Sequence, residues 1–305
     1  MKSPIETLGA NLISTLGNDA GFSTLTRRGF LAATASLASC SAAAPLKEQG
    51  AAAAVKTKPN PGYRTPPVQG PVPRNPDANF NSNFARDGGV TYSRVLVSGN
   101  YVAMTFDDGP HPQNTPRLLD MLRARNIKAT FYVIGRSVDL YPNVVRRTVA
   151  EGHEIGNHTH THRLLSKLGN DEVRQEISRC RDAIVRAAGV QPRTMRPPYG
   201  GMLQSQRELV FNEFGNPCIL WSVDPLDWKR PGPSVVSSRI LSGTTAGSII
   251  LAHDLHSQTV DAMPAALDGL LRRGFRFVTV SQLLAMKVDS AATAQTAETA
   301  AAPTN

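Results

Sequence analysis

The sequence predicts an α/β fold, a distorted (β/α) barrel of about seven parallel strands with surrounding helices. Two observations predict it: short β-rich runs alternate with helical patterns from residue 101 onward, and polar residues follow most of these runs. Helical crossovers imply parallel pairing, in a sheet that is either doubly wound or closed into a barrel. The seven runs are residues 101–106, 129–134, 153–157, 194–197, 218–223, 248–253 and 276–280.

Helical patterns lie between most of the runs, for example at residues 115–125 and 171–188. In the second, the apolar residues Val173, Ile177, Cys180 and Ile184 recur at helical spacing, while Arg and Glu occupy the other faces. This pattern predicts a helix that packs one apolar face on the sheet.

The polar residues favour a barrel over an open sheet. Side chains from several strand ends can converge only if those ends surround one mouth, which is where barrels collect their chemistry. Five of the runs end in such residues or are followed by them, namely Asp107 and Asp108, His158, Arg196 and Tyr199, Asp224 and Asp227, and His253.

Composition limits the class of protein. A chain of 305 residues with 41% hydrophobic and 19% charged residues suits one catalytic domain with flanking segments. The net charge of +9 comes from scattered Lys and Arg with no aromatic and basic stripe, so no nucleic-acid partner is expected. The three cysteines lie far apart, which excludes a Cys-x-x-Cys zinc pattern. Cys180 lies on the apolar face of a predicted helix and Cys218 opens a predicted strand, so two buried thiols are expected rather than a disulfide bridge.

The first 40 residues are interpreted as an export signal. Residues 26–31 (T-R-R-G-F-L) precede a short apolar stretch and resemble a twin-arginine signal, and the stretch is too short to span a membrane, which needs about 18 to 20 residues. Residues 37–40 end in Cys40 and resemble a lipobox, which predicts lipidation of Cys40 and attachment to a membrane. The alternatives are a chance Arg-Arg pair and an exported free thiol.

The segments beside the predicted domain are poor in core-forming residues. Residues 41–94 are rich in Ala, Pro, Asn and Gly and are predicted to be a flexible tether, and residues 287–305 a disordered tail. Together with the signal, this predicts an exported protein of the periplasm or cell envelope.

Asp107 and Asp108 stand side by side in residues 105–110 (T-F-D-D-G-P), where a strand meets a turn. Adjacent carboxylates repel unless a cation separates their roles, so one can bind a metal while the other acts as a base. A solvated turn is the alternative reading of this motif taken alone.

Three histidines, His158, His160 and His162, lie within five residues. Residues four apart share a helical face, so a turn here would bring His158 and His162 together and turn His160 aside. With a carboxylate from another strand end they would form a three-ligand hydrolytic metal site. An adventitious metal-binding tract is the alternative.

With these motifs, the chain resembles the polysaccharide deacetylase family of carbohydrate esterases, also called the NodB-homology domain, over about residues 95–286. All five motifs of that family occur in order. The resemblance implies that Asp107 is the catalytic base and that Asp108, His158 and His162 are the metal ligands.

The third and fourth motifs are matched by residues 196–199 (R-P-P-Y) and 224–228 (D-P-L-D-W). The resemblance implies that Arg196 holds the base and that the backbone amide of Tyr199 helps to bind the oxyanion. It also implies that Asp227 orients and tunes the catalytic acid and that Trp228 lines the substrate groove.

The fifth motif is matched by residues 251–253 (L-A-H). It implies that Leu251 is a wall for the acetyl methyl group and that His253 is the catalytic acid. Asp254 and His256 receive no role and are expected to be ordinary rim residues, and Trp221 is expected to pack in the core.

The resemblance implies a metal-dependent hydrolase that removes N-acetyl groups from a polysaccharide or oligosaccharide containing N-acetylglucosamine. Export favours peptidoglycan or a related envelope glycan over chitooligosaccharide. One divalent metal ion is expected, zinc in the first place, with cobalt, manganese or nickel also suited to the ligands. A monomer is expected. The alternatives are an acetyl-ester or small-amide hydrolase using the same site, and an inactive glycan-binding lipoprotein.

Overall fold

Short parallel strands form the centre of the chain that the computed structural model describes, residues 66–71 and 89–287. The strands are β1 (Thr91–Tyr92), β2 (Tyr101–Asp107), β3 (Thr130–Val133), β4 (Glu154–Asn157), β5 (Cys218–Ile219), β6 (Ile249–Ile250) and β7 (Arg276–Phe277). Every pair of these strands is parallel, so the predicted α/β class with parallel strands is confirmed.

The strands are linked around β2, the longest of them. Pairing follows the order β4-β3-β2-β6, β7 also pairs with β2, and β1 pairs with β5. Single parallel bridges continue from Asn157 to Met195, from Met195 to Cys218 and from Val223 to Ile250. Continuous pairing therefore does not run round a closed barrel, and single bridges connect β4 through Met195 and β5 to β6.

Two strand predictions need correction. The predicted strand at 194–197 is reduced to the bridging residue Met195, because Pro197 and Pro198 have no N–H groups to continue a ladder. In contrast, Thr91–Tyr92 forms a strand within the segment that was predicted to be a tether.

Helices cover the strands. They are α1 (Asn114–Ala124), α2 (Gly135–Leu140), α3 (Pro142–Ala150), α4 (Asn170–Ala188), α5 (Gln204–Phe214), α6 (Pro233–Gly243), α7 (Ser257–Arg272) and α8 (Val280–Ala285). The predictions at 115–125 and 171–188 correspond to α1 and α4. The four apolar residues predicted to share one face of α4 are all fully buried, and this face packs against the sheet as expected.

Alternation along β2 separates two environments. Met104 and Phe106 join the large apolar cluster under the helices, whereas Ala103 joins the cluster enclosed by the strands. Because strand side chains alternate, Thr105 and Asp107 lie on the same face as Ala103. The strand thus directs Asp107 toward the space that the other strand ends surround.

Parts of the predicted tether at 41–94 belong to the folded domain. The buried side chain of Gln69 donates to the carbonyl of Phe277 and accepts from its N–H, and the Gln69 N–H donates to Arg125 O at 2.8 Å. Hydrogen bonds, which composition does not reveal, hold the segment around Gln69 and strand β1 in the fold. The export signal at 1–40 with Cys40, the rest of the tether and the tail from residue 288 lie outside the described residues.

Among the described residues, Cys180 and Cys218 are free and buried, as predicted. Burial raises the pKa of the Cys180 thiol to about 12 and that of the Cys218 thiol to about 11, so both are poor nucleophiles. No helix in the described ranges is long and apolar enough to cross a membrane.

Candidate active site

One cavity of about 410 Å³ collects the polar residues that follow the strands. Its lining is contributed by Asp107, Asp108, His158, His162, Pro197, Tyr199, Trp221, Asp224, Trp228, Leu251, His253 and His256. These residues follow β2, β4, the Met195 bridge, β5 and β6, so the strand ends meet at one mouth. Arg196 and Asp227 are buried behind this lining.

Three potential metal ligands converge on one point at the wall of the cavity. The Oδ1 atom of Asp108 lies 3.3 Å from His158 Nε2 and 3.1 Å from His162 Nε2, and the three atoms lie within 4.8 Å of one another. Burial alone would raise the pKa of Asp108, but the two imidazoles hold that pKa well below its usual range. No donor among the described residues meets the buried Oδ1 in hydrogen-bond geometry. Two imidazole nitrogens and one carboxylate oxygen are a ligand set for a hydrolytic divalent cation.

The two histidines are brought together by a loop, not by the helical turn that their spacing suggested. Thr159 and His162 have positive φ angles of 65° and 62°, and the His162 N–H donates to Thr159 Oγ1 at 3.0 Å. A left-handed conformation at a β-branched residue such as Thr159 is unfavourable and needs support from its surroundings. That support is a hydrogen bond from the Thr159 N–H to Oδ1 of Asn157, at 2.9 Å.

The tautomer of His158 is fixed by the backbone. Its Nδ1 lies 2.7 Å from the carbonyl oxygen of Arg196, and a carbonyl can only accept, so Nδ1 carries the proton. The lone pair of Nε2 is therefore available on the side of Asp108. His160 is turned aside as expected, and its N–H donates to Glu176 Oε2 at 3.0 Å.

Asp107 is held by a completely buried guanidinium. Arg196 donates from Nη1 to Asp107 Oδ1 and to Thr105 Oγ1, both at 2.7 Å. Its Nε and Nη2 atoms donate to the carbonyls of Ile219, at 3.1 Å, and Leu220, at 3.0 Å. The other carboxylate oxygen of Asp107 lies 3.8 Å from His158 Nε2, so it is directed toward the ligand atoms.

A second acid and imidazole pair, Asp227 and His253, lies beside Asp107, whose backbone forms a parallel bridge with His253. Asp227 accepts from His253 Nδ1 and from the His253 N–H, both at 2.8 Å, and the Thr259 hydroxyl also donates to it at 2.8 Å. Burial alone would lower the pKa of His253, but the hydrogen bond to Asp227 and the nearby carboxylates raise it to about 9. His253 is thus built to carry a proton at neutral pH.

Exposed aromatic side chains form the rim. Tyr199 is 71% exposed and its ring lies 4.8 Å from that of His162, while Trp228 is 50% exposed. Leu251 is buried and lines the cavity between them and His253. Aromatic faces beside a polar cavity suit the apolar faces of sugar rings.

Trp221 departs from its expected place. It was expected in the core, but it is only partly buried and lines the cavity. Its strand is interrupted after Ile219, which ends the in-and-out alternation on which the expectation depended.

Asp254 is not a rim residue. It is almost fully buried, receives a hydrogen bond from the Thr115 hydroxyl, and fills the space beside Gly109 where a Cβ atom would otherwise lie. Burial raises the pKa of Asp254 to about 7. The position directly after His253 was the only signal in the sequence. His256 does line the cavity, as a partly buried residue.

The polysaccharide deacetylase family profile matches residues 96–215. The peptidoglycan-N-acetylglucosamine deacetylase PgdA of Listeria monocytogenes is 41% identical over 187 residues, which are 61% of this chain and 39% of that protein. The chain therefore spans about two fifths of the length of this relative.

Two further proteins match over nearly their whole length. A chitooligosaccharide deacetylase of Bradyrhizobium sp. (strain ANU 289) is 42% identical over 205 residues, covering 61% of this chain and 92% of that protein. A solved peptidoglycan N-acetylglucosamine deacetylase is 35% identical, with a TM-score of 0.62 over 66% of this chain and 95% of that one. On this similarity and the shared fold, the chain belongs to the polysaccharide deacetylase family.

Proposed function

We propose that this protein is a metal-dependent hydrolase that removes N-acetyl groups from a glycan containing N-acetylglucosamine. The observation that carries the proposal is the meeting, in one cavity, of the ligand atoms of Asp108, His158 and His162 with two separate acid–base groups. The names of the relatives, peptidoglycan and chitooligosaccharide deacetylases, support the same reaction.

The ligand set fits a divalent cation, with zinc as the first choice and cobalt, manganese or nickel as alternatives. Asp108, His158 and His162 would hold it, and the unpartnered Asp108 Oδ1 supports this role. When bound, the ion would supply Lewis acidity that polarises the acetyl carbonyl and makes water a better acid.

The acid–base work falls to two residues on neighbouring, bridged strand ends. Asp107, restrained by Arg196, would take the proton of the attacking water. His253, held by Asp227, would donate a proton to the departing sugar amine. Acetate and a free amine are the products.

The remaining lining would position the substrate. The backbone amide of Tyr199 would donate to the oxyanion, an interaction worth on the order of 3 kcal/mol for a well-placed donor. Leu251 would contact the acetyl methyl group, and Trp228 would contact a sugar face. Peptidoglycan or a related envelope glycan is the proposed substrate, with chitooligosaccharide as a simpler analogue.

Turnover and metal binding should respond differently to two substitutions. Asp107→Asn should lower acetate release from chitooligosaccharide by at least about 10²-fold with metal content unchanged, because it removes only the base. His158→Ala should lose both acetate release and bound metal, because it removes a metal ligand. The measurement is acetate and free amine released, alongside metal per protein.

Asp182→Asn makes the same chemical change on an exposed part of α4 and is the matched control. Near-normal turnover by Asp107→Asn would contradict its role as base. Full metal content in His158→Ala would contradict the ligand set.

The pH profile should report the His253–Asp227 pair. His253 can donate only while protonated, so kcat/KM should fall as pH rises through its raised pKa of about 9. Asp227→Asn removes the charge that raises this pKa and leaves burial, which lowers it. The alkaline limb of kcat/KM against pH should therefore move down by about one unit or more, and an unmoved limb would argue against this pairing.

We propose that the protein is exported to the cell envelope and tethered to a membrane by a lipid on Cys40. The proposal is supported by residues 26–31 (T-R-R-G-F-L) and by the lipobox-like residues 37–40. Cells fed labelled palmitate should label the wild type and leave Cys40→Ala unlabelled. Equal labelling of both proteins would contradict lipidation at Cys40.

A further inference from the structure

A second cavity of about 260 Å³ adjoins the candidate active site. Its lining comes from Arg230, Leu255, His256, Ser257 and Gln258, and His256 lines both cavities. The two spaces therefore meet at one side chain. A glycan whose acetylated sugar occupies the first cavity would extend its next sugar past His256.

The second cavity is basic. Arg230 follows the short helical turn Asp227–Lys229 and is exposed, and its guanidinium has no hydrogen bond or ion pair within the described parts of the chain. Of the residues that the structure describes, those that line this cavity include no carboxylate. The Lys229 ammonium lies 5.0 Å from the centre of the ring of Trp228, which lines the first cavity, so a second positive charge lies next to Arg230 in the chain.

The positive charge of Arg230 acts on His256, the residue that lines both cavities. Burial and the Arg230 guanidinium both lower the pKa of His256, so this imidazole is neutral at pH 7. A neutral His256 can still donate a hydrogen bond, while Arg230 supplies the full charge. Arginine pairs with a carboxylate through two parallel hydrogen bonds, and a neutral hydroxyl group offers only one acceptor.

We propose that the second cavity is a subsite for a carboxylate carried by the sugar beside the one that is deacetylated. This inference rests on the proposed function and narrows its substrate to an acidic amino-sugar glycan. Arg230 is the specificity-determining residue. It takes no part in the acid–base chemistry, which lies on the other side of His256.

Such a carboxylate has two sources in an amino-sugar polymer. It is either an ether-linked acid on the sugar itself or a carboxylate of a peptide attached to that acid. A peptide-free glycan of alternating N-acetylglucosamine and N-acetylmuramic acid carries the first, and its peptide-bearing form carries the second. The fully N-acetylated tetramer of glucosamine, called chitotetraose below, carries neither.

The test compares kcat/KM for acetate release from these three glycans by the metal-loaded protein. Arg230→Gln should reduce kcat/KM by about three- to fivefold on the acidic glycan that the subsite reads, as expected for a partly exposed ion pair. Chitotetraose turnover should be unchanged. Arg230→Lys should retain part of the preference, and added salt should weaken it in the wild type.

Arg272→Gln is the matched control, because it removes the same charge from the opposite end of α7. A loss confined to the peptide-bearing glycan assigns the carboxylate to the peptide, and a loss confined to the peptide-free glycan assigns it to the sugar, because the attached peptide converts the sugar's own carboxylate into an amide. A loss on both acidic glycans shows that the subsite accepts either carboxylate. Equal kcat/KM for wild type and Arg230→Gln on all glycans, or equal losses on neutral and acidic ones, would overturn the subsite alone. No acetate from any glycan would overturn the proposed function as well.

Discussion

A buried carboxylate oxygen faced by two imidazole nitrogens is the arrangement on which the site depends. Asp108 Oδ1 lies near the Nε2 atoms of His158 and His162, and no hydrogen-bond donor meets it in the described chain. A buried carboxylate oxygen that makes no hydrogen bond is unfavourable, so the arrangement suits a cation at this point. The left-handed backbone at Asp108, Thr159 and His162 is the local cost of aiming these side chains together.

Arg196 connects this point to the rest of the chemistry. Its guanidinium holds Asp107, and its carbonyl sets the tautomer of His158, so one buried residue orients both the proposed base and a proposed metal ligand. Asp227 plays the corresponding part for His253. Both supports lie behind the cavity lining, where water cannot compete for their hydrogen bonds. The two acid–base groups are therefore held by fixed hydrogen bonds within the protein and not by solvent.

Much of this could be predicted from the sequence, because strand periodicity and motif order are local properties. The class of fold, the apolar face of α4 and the meeting of the strand ends follow from them. The path between His158 and His162 could not, since spacing alone does not distinguish a helical turn from a loop with positive φ angles. The burial of Asp254 and the exposure of Trp221 depend on distant contacts and on where a strand stops, which a single sequence does not show.

X-ray absorption spectroscopy of the zinc-loaded protein tests the central claim most directly, because it reports the atoms around the ion. The account predicts two imidazole ligands at about 2.0–2.1 Å, an oxygen ligand at a similar distance and no sulfur. The imidazole signal should decrease in His162→Ala. A sulfur shell at about 2.3 Å, or fewer than two imidazoles in the wild type, would contradict it.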